Sequence, residues 1–459
     1  MKVEDDIKKT DALVIGAGVV GLSIALELLH LGKSVRVIDK DFTGGERTHI
    51  GELAFFSGDP VLANLTKFSR TAWEGAEARY EMETGLLPRG NIELATTPGR
   101  KVILQNENAD SPREIELITE KEKIKEELGA PFASDVIAIK KEETAPVLST
   151  QTIIESLRAK VKEQGAILWG ADEVTEFITE EDEAGTTLQG VRVKSGEVAL
   201  ADETFVAAGA ITGLLLKTLH LTLPLRPSRQ HLITFSGVKN FSEALITHRL
   251  RRGHLVFKGL MGGKVMLSYD GLMDPMQATY SLQVDETVLD LLHTYTSANL
   301  FPEFRDAKVE GAVCITGAVT PDFRPVVGRW RGIQGLWLAT GFAGRSYAYA
   351  MGIAQTLGAI MTGAMPNLNL APFAPERFEL DRWPRFQRPP SLAWSEQATF
   401  AGKAQFATQV NTTGSGPAGY MDNVNMVDKN KVDRGQMKTT DFKENTKGKI
   451  QMAGTKRKG

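Results

Sequence analysis

The chain is 459 residues long, 42% hydrophobic and 24% charged, with a formal net charge of −3 and one cysteine. That length suits two or three domains and supplies ample apolar material for a large core. The near-neutral balance excludes a strongly basic nucleic-acid binder, and a lone cysteine, Cys314, excludes a disulfide framework and a cysteine-based zinc cluster.

Residues 1–10 mix acidic and basic side chains without the ending of a cleaved signal. The apolar stretch 13–31 is broken by Gly16, Gly18, Gly21, Glu27 and His30, so it predicts neither a signal peptide nor a membrane span. A cytoplasmic location is the expectation. Asp11-Ala12-Leu13-Val14-Ile15 reads as a strand, residues 19–31 as a helix, and Ser34-Val35-Arg36-Val37-Ile38 as a second strand. A helix is predicted at 151–163, then short strands near 166–168, 174–178, 190–193 and 205–207. Between residues 232 and 315 the pattern is broken, with alternating runs such as Val265-Met266-Leu267-Ser268-Tyr269, which predicts an antiparallel sheet plus a helix near 286–300. Gly335-Leu336-Trp337-Leu338-Ala339-Thr340-Gly341 reads as a buried strand running into a helix that ends near Met361. From residue 391 to 459 the composition turns to Asn, Lys, Thr, Gln and Gly, with 11 Lys/Arg against 6 Asp/Glu. Such a segment buries too little apolar surface to offset its ordering entropy, so a disordered basic tail is expected, with docking to an acidic protein partner as its alternative role. The tail's net +5 leaves the body at −8.

Gly16-Ala17-Gly18-Val19-Val20-Gly21 follows a strand and opens a helix, and Asp39 ends the next strand. Gly16 permits the tight turn, Gly18 lets a pyrophosphate approach the backbone, and Gly21 lets helix and strand pack closely. The helix N-terminus offers N–H groups and positive dipole to the phosphates, and Asp39 would accept from ribose hydroxyls. Phe205-Val206-Ala207-Ala208-Gly209-Ala210 is a second strand end marked by glycine. Thr340-Gly341-Phe342-Ala343-Gly344 is a third, delivering a helix N-terminus suited to negative charge on a reduced flavin ring.

Over residues 11–378 the body resembles the FAD-dependent amine and amino-acid oxidoreductases of the D-amino acid oxidase, glycine oxidase and sarcosine oxidase group. The resemblance is carried by the glycine turn and by Glu83-Thr84-Gly85-Leu86 followed by Gly90. Further along it rests on Thr320-Pro321-Asp322 with Pro325-Val326-Val327-Gly328, and on Ala339-Thr340-Gly341-Phe342-Ala343-Gly344. It implies an α/β fold. A doubly wound FAD-binding domain would be assembled from residues 8–85, 148–228 and 320–380, with an antiparallel-sheet substrate domain from 86–147 and 229–319. It also implies an FAD-dependent oxidase or dehydrogenase. Hydride would pass from the carbon beside an amine nitrogen to the flavin, and the resulting imine would hydrolyse. The substrate would be an amino acid or N-substituted amino acid, with oxygen or another carrier as acceptor. A 2-hydroxy acid dehydrogenase on the same fold and an accessory FAD-binding subunit of a larger complex are the alternatives.

The cofactor contacts implied by the resemblance fall on Gly16, Gly18, Val19, Val20, Gly21, Asp39 and Lys40 at the first turn. Thr48, His49, Gly51, Val174, Ala208 and Gly209 follow, then Gly341, Phe342, Ala343, Gly344 and Arg345. The family's substrate-gripping cations map onto Gly317, Ala54 and Ala348, so all three are missing. Arg345 is the economical replacement, ahead of Arg324, Arg229 and Arg89, with His49, Tyr347 and Tyr349 as further catalytic candidates. His231 and His254 read as structural or exposed. Cys314 falls where the sarcosine oxidase branch joins a cysteine to the flavin, so a covalent tether is an option beside a buried strand cysteine.

Overall fold

In this computed structural model the described residues are 9–41, 49–53, 59–109, 115–250, 253–272 and 274–378. The expected disordered tail, Thr48 and Ala54 lie outside them.

The first strand, Thr10–Ile15, is buried along nearly its whole length, as expected of a strand flanked on both sides and covered on both faces. It pairs in parallel with Val35–Asp39 and with Val198–Val206. Ile167–Gly170 continues the parallel sheet beyond Val35–Asp39, and Leu336–Thr340 continues it beyond Val198–Val206. Val326–Arg329 closes that side antiparallel. The strands from 10, 35 and 167 thus lie on one side and those from 198 and 336 on the other, with order reversing beside the first strand. In an open α/β sheet this is where a ligand binds, outside the carboxyl ends of the strands.

Helices Val19–His30, Pro60–Glu74, Thr150–Glu163 and Ser346–Met361 build one apolar layer with this sheet, including Val14, Leu22, Leu65, Trp73, Leu157, Phe205 and Met351. Thr150–Glu163 begins at Ser149, whose side chain accepts from Thr152 N. On the other side a meander of Val174–Asp182, Gly185–Val193 and Val198–Val206 packs Phe177, Leu188 and Val191 with Leu13, Ile15 and Ile38.

The second sheet has eight strands, ordered Lys308–Val319, Arg226–Ser236, Lys264–Tyr269, Gly253–Leu260, Leu245–Leu250, Asn91–Ala95, Ala138–Glu142 and Ile115–Ile118. Helix Glu286–Asn299, capped by Asp285, packs in the same core. Phe257 meets Phe301 edge-on at 5.3 Å, and Phe235 meets Phe304 likewise. All pairings are antiparallel except Leu245–Leu250 with Asn91–Ala95, where an earlier chain segment joins the later one. Strand Arg226–Ser236 runs across the boundary expected at residue 228. Among the described residues no helix is long and apolar enough to cross a membrane.

Candidate active site

Three strand ends converge on the glycine turn. Gly16 N donates to Ile38 O at 2.8 Å, Ala207 N to Ile15 O at 2.9 Å, and Thr340 Oγ1 to Gly209 O at 3.0 Å. Gly16 has φ +105°, and a Cβ there would lie 2.5 Å from Ala207 O. Helix Val19–His30 starts at Gly18, which has no side chain to cap its N–H groups. Asp39 accepts from Ala17 N at 2.6 Å and from Asp41 N at 2.7 Å, and a carboxylate retains further lone pairs for a ligand hydroxyl. Lys40 is exposed beside it, and Gly209 is exposed with φ +56°. Val174 is buried with Ile15 and Ile38, so its side chain belongs to the core. A cradle without Cβ atoms, a helix N-terminus and a ribose-level carboxylate fit the dinucleotide half of FAD.

At the far end of the chain, residues 341–345 form a tight turn into helix Ser346–Met361. Gly341, Ala343 and Gly344 have φ of +74°, +52° and +77°. Ala343 carries a Cβ in the left-handed region, a local cost of about 1–2 kcal/mol that surrounding structure must hold. Ala343 N donating to Ala318 O at 2.9 Å is one such restraint.

His49 joins this turn to the segment after the second strand. Its Nε2 donates to Gly344 O at 2.9 Å, while its Nδ1 accepts from Gly51 N at 3.2 Å, and the ring stacks on Tyr347 at 5.0 Å. Burial pushes the imidazole down to about 4. Both ring nitrogens are therefore occupied by main chain in the neutral form. In this arrangement the side chain holds the turn against the 49–51 segment. Residues 49–52 are pinned further by Lys258, whose Nζ donates to Ile50 O and Leu148 O at 3.0 and 3.1 Å, and by Thr150 Oγ1 to His49 O at 3.1 Å. Gly51 has φ +79°, and a Cβ there would lie 2.2 Å from Leu148 O.

Between this segment, the 344–345 turn and the second sheet lies a small polar cleft. Its charged lining is Arg249, Arg345, Asp270 and Glu52, with His49 and His254 as imidazoles and Gln230, Thr247 and Ser268 as neutral polar groups. His254 stands opposite Arg249 in the hairpin register. Its Nδ1 lies 2.6 Å from Asp270 Oδ2, its main-chain N donates to Asp270 Oδ1 at 2.7 Å, and Arg345 Nη2 is 3.3 Å from the same Nδ1. Burial lowers the His254 pKa against the pull of Asp270. Burial alone would raise Asp270, but His254 and Arg345 overcome it and hold the carboxyl below its ordinary value. Arg345 Nη1 is fixed on Ala343 O at 2.9 Å. Arg249 Nε lies 2.7 Å from Glu93 Oε1, and Glu93 also pairs with Arg100. Glu52 is half-buried, and desolvation pushes its carboxyl up to about 7 against the pull of Arg345 and Arg249.

Of the expected catalytic residues, only Arg345 and His49 line the cleft. Tyr347 and Tyr349 do not line it: they are 0% and 1% exposed in the helix layer, with burial raising Tyr349 to about 12. Cys314 does not line it either. It pairs with His231, whereas the adjacent Gln230, opposite Ile315, lines the cleft. Successive strand residues face opposite sides, so Cys314 points away from the cleft, and its Sγ lies 3.9 Å from Ser281 O. Acid precipitation of FAD-loaded protein is expected to leave all yellow colour in the supernatant, for wild type and Cys314→Ser alike. Colour in the wild-type pellet would refute this placement.

Arg324 is committed to Asp59 at 2.8 Å, and Arg229 donates to Met276 O and Gln283 O. A Cβ at Gly317 would lie 3.8 Å from Gly344 N, so glycine leaves that wall without a cation, and Ala348 is buried. Arg249, Asp270, His254 and Glu52 were not legible as site residues. The signal available was the Gly262-Gly263 turn: counting back from it along both strands places 254 near 269 and 270.

The fold and the two glycine turns fit a dinucleotide-dependent oxidoreductase with a polar cleft beside the second turn. The chain belongs to the FAD dependent oxidoreductase family (DAO), whose profile matches residues 11–360. It is 26% identical over 379 residues to glycine oxidase of Pseudomonas aeruginosa, covering 79% of this chain and 98% of that one. Among solved structures, L-proline dehydrogenase from P. horikoshii superposes with TM-score 0.70 at 22% identity, covering 81% of this chain and 98% of that one. Glycine oxidase from Geobacillus kaustophilus gives 0.69 at 20%, covering 80% and 99%.

Proposed function

We propose that the chain oxidises an amino acid or N-substituted amino acid at the carbon beside nitrogen. The observation that carries this reading is the pair of arginines, Arg249 from the second sheet and Arg345 from the 341–345 turn, that line one cleft and are each anchored. FAD, when bound, supplies the oxidant by accepting hydride. Gly16, Gly18, Val19, Val20 and Gly21 would hold its pyrophosphate, with Asp39 on the ribose. Ala208, Gly209 and the main chain of Val174 would flank the nucleotide, and 341–345 would present a helix N-terminus to the ring. Arg345 and Arg249 grip the substrate carboxylate in charge-assisted hydrogen bonds, replacing the cations missing at 54, 317 and 348. Asp270 keeps Arg345 and His254 oriented. The substrate domain, residues 86–147 and 229–319, closes over the site and limits water.

The test is anaerobic bleaching of the loaded protein with glycine, L-proline, sarcosine and dimethylglycine beside lactate. Reduction by amines supports the reading, and reduction by lactate alone replaces it with 2-hydroxy acid oxidation. Arg345→Met removes hydrogen bonds to a charged group worth about 1.5–3 kcal/mol, so substrate Kd is expected to rise roughly 10- to 150-fold. A spectral titration with a non-oxidisable carboxylate reads this directly, and an unchanged Kd would exclude Arg345 from the grip.

A further inference from the structure

Glu52 is the one carboxylate lining the cleft that the grip and its supports leave unused. Asp270 is engaged by the His254 ring, the His254 main chain and the field of Arg345. Glu93 lies behind the wall, bound to Arg249 and Arg100. No hydrogen bond or ion pair to the Glu52 carboxyl exists among the described residues. Its backbone is nevertheless rigidly placed. Glu52 bridges Val147 antiparallel, Leu148 N donates to Gly51 O at 2.9 Å, and Lys258 clamps Ile50 O. A loose surface carboxylate would not be held this way.

Hydride loss requires a neutral amine, because the nitrogen lone pair becomes the second bond to carbon. An amino acid arrives as an ammonium ion. With its carboxylate on Arg345 and Arg249, its cationic end needs a base inside the same cleft. We propose that Glu52 takes the ammonium proton, so that the bound substrate becomes a neutral amine poised for oxidation. This rests on the amine-oxidation reading above. One N–H bond breaks and one O–H bond forms. Ammonium and carboxylate become amine and carboxylic acid, total charge is conserved, and no electrons change hands.

The cleft supplies the matching. The ammonium of a free amino acid, beside its own carboxylate, holds its proton far more tightly than a carboxyl at its ordinary value, so such a carboxyl would take the proton in a vanishing share of complexes. Desolvation of Glu52 from 4.5 to about 7 raises that share roughly 300-fold. The charged groups facing Glu52 are Arg249, Arg345 and Asp270, with Glu93 behind; the buried His49 is a neutral neighbour, and His254 is paired with Asp270. The two arginines alone would keep Glu52 a weak base. A bound substrate carboxylate partly neutralises them and strengthens it.

The test uses FAD-loaded full-length protein, with FAD content and thermal midpoint as controls on folding. Stopped-flow bleaching by the fastest amine of the panel is measured against pH for wild type and Glu52→Gln. Wild type is expected to be nearly flat above the Glu52 titration. Glu52→Gln should climb about tenfold per pH unit and meet wild type only where the free amine dominates in solution. Glu52→Asp, which keeps a carboxylate, should restore the wild-type shape. A second readout needs no turnover. Calorimetric binding of 2-methylalanine, which has no α-hydrogen, is run at pH 8 in two buffers of different ionisation heat. Wild type should exchange no net proton, and Glu52→Gln should release close to one. Equal pH profiles together with no proton release from Glu52→Gln overturn the role of Glu52 and leave the function intact. Failure of every amine to bleach wild type overturns the function itself, and Glu52's role with it.

Discussion

Gly21→Ala is expected to yield colourless protein. A Cβ at position 21 would lie 1.9 Å from Gly16 O and 3.0 Å from Gly16 C, both main-chain atoms of the turn itself. Neither can rotate aside as a side chain would, so the helix must lift off the strand end. Overpacking of this kind costs typically about 1–3 kcal/mol, and more where only backbone can yield. The displaced helix also carries its N–H groups away from the pyrophosphate, so binding loses both geometry and dipole. The measurement is the ratio of flavin to protein absorbance after purification with added FAD. Gly311→Ala is the control, because nothing lies within 4 Å of a Cβ there. A fully yellow Gly21→Ala protein would refute the turn as the pyrophosphate site.

Glu93→Ala is expected to be the most destabilising single change in the eight-stranded sheet. Glu93 is 0% exposed, sits between Arg100 and Arg249, and neighbours Lys140, which is itself tied to Glu107 at 2.9 Å. Removing one partner of a buried ionic cluster leaves uncompensated charge, at a cost of about 3–5 kcal/mol. Denaturant midpoints of wild type and variant measure this, and a difference below about 1 kcal/mol would show the cluster to be relaxed by water. The pH dependence follows from the same charges. Burial alone would raise Glu93, but Arg100, Arg249 and Lys140 overcome it and hold the carboxyl below its ordinary value. The folded form therefore binds the proton less well than the unfolded one. Its stabilisation is present above the unfolded value of 4.5 and is lost as pH falls toward the folded one. The gap between wild type and Glu93→Ala should narrow below pH 4.5. Glu93 also orients Arg249, so the variant should bind the substrate carboxylate more weakly wherever it remains folded.

The misplacements at the site share one cause. Cys314 and Ile315 differ by a single residue, and a strand turns that difference into opposite faces of a sheet. Tyr347 and Tyr349 lie only two and four residues beyond Arg345, yet the helix carries them under the His49 ring and into the core. Likewise, Val174–Asp182 continues through the exposed acidic residues Glu180, Glu181 and Asp182, which show no apolar alternation. The strand was therefore legible only over its first half.

What the sequence by itself determined is the first strand–turn–helix–strand unit. Strand, glycine turn, helix and Asp39 are local features, set by backbone conformation and by contacts across a few dozen residues. So are the glycines at 341 and 344, where left-handed backbone disfavours a Cβ. The polar cleft was decided only by the tertiary structure. Glu52, Arg249, His254, Asp270 and Arg345 come from separate segments, and their chemistry comes from desolvation and mutual charge, which exist only once the sheet and turn have closed around them.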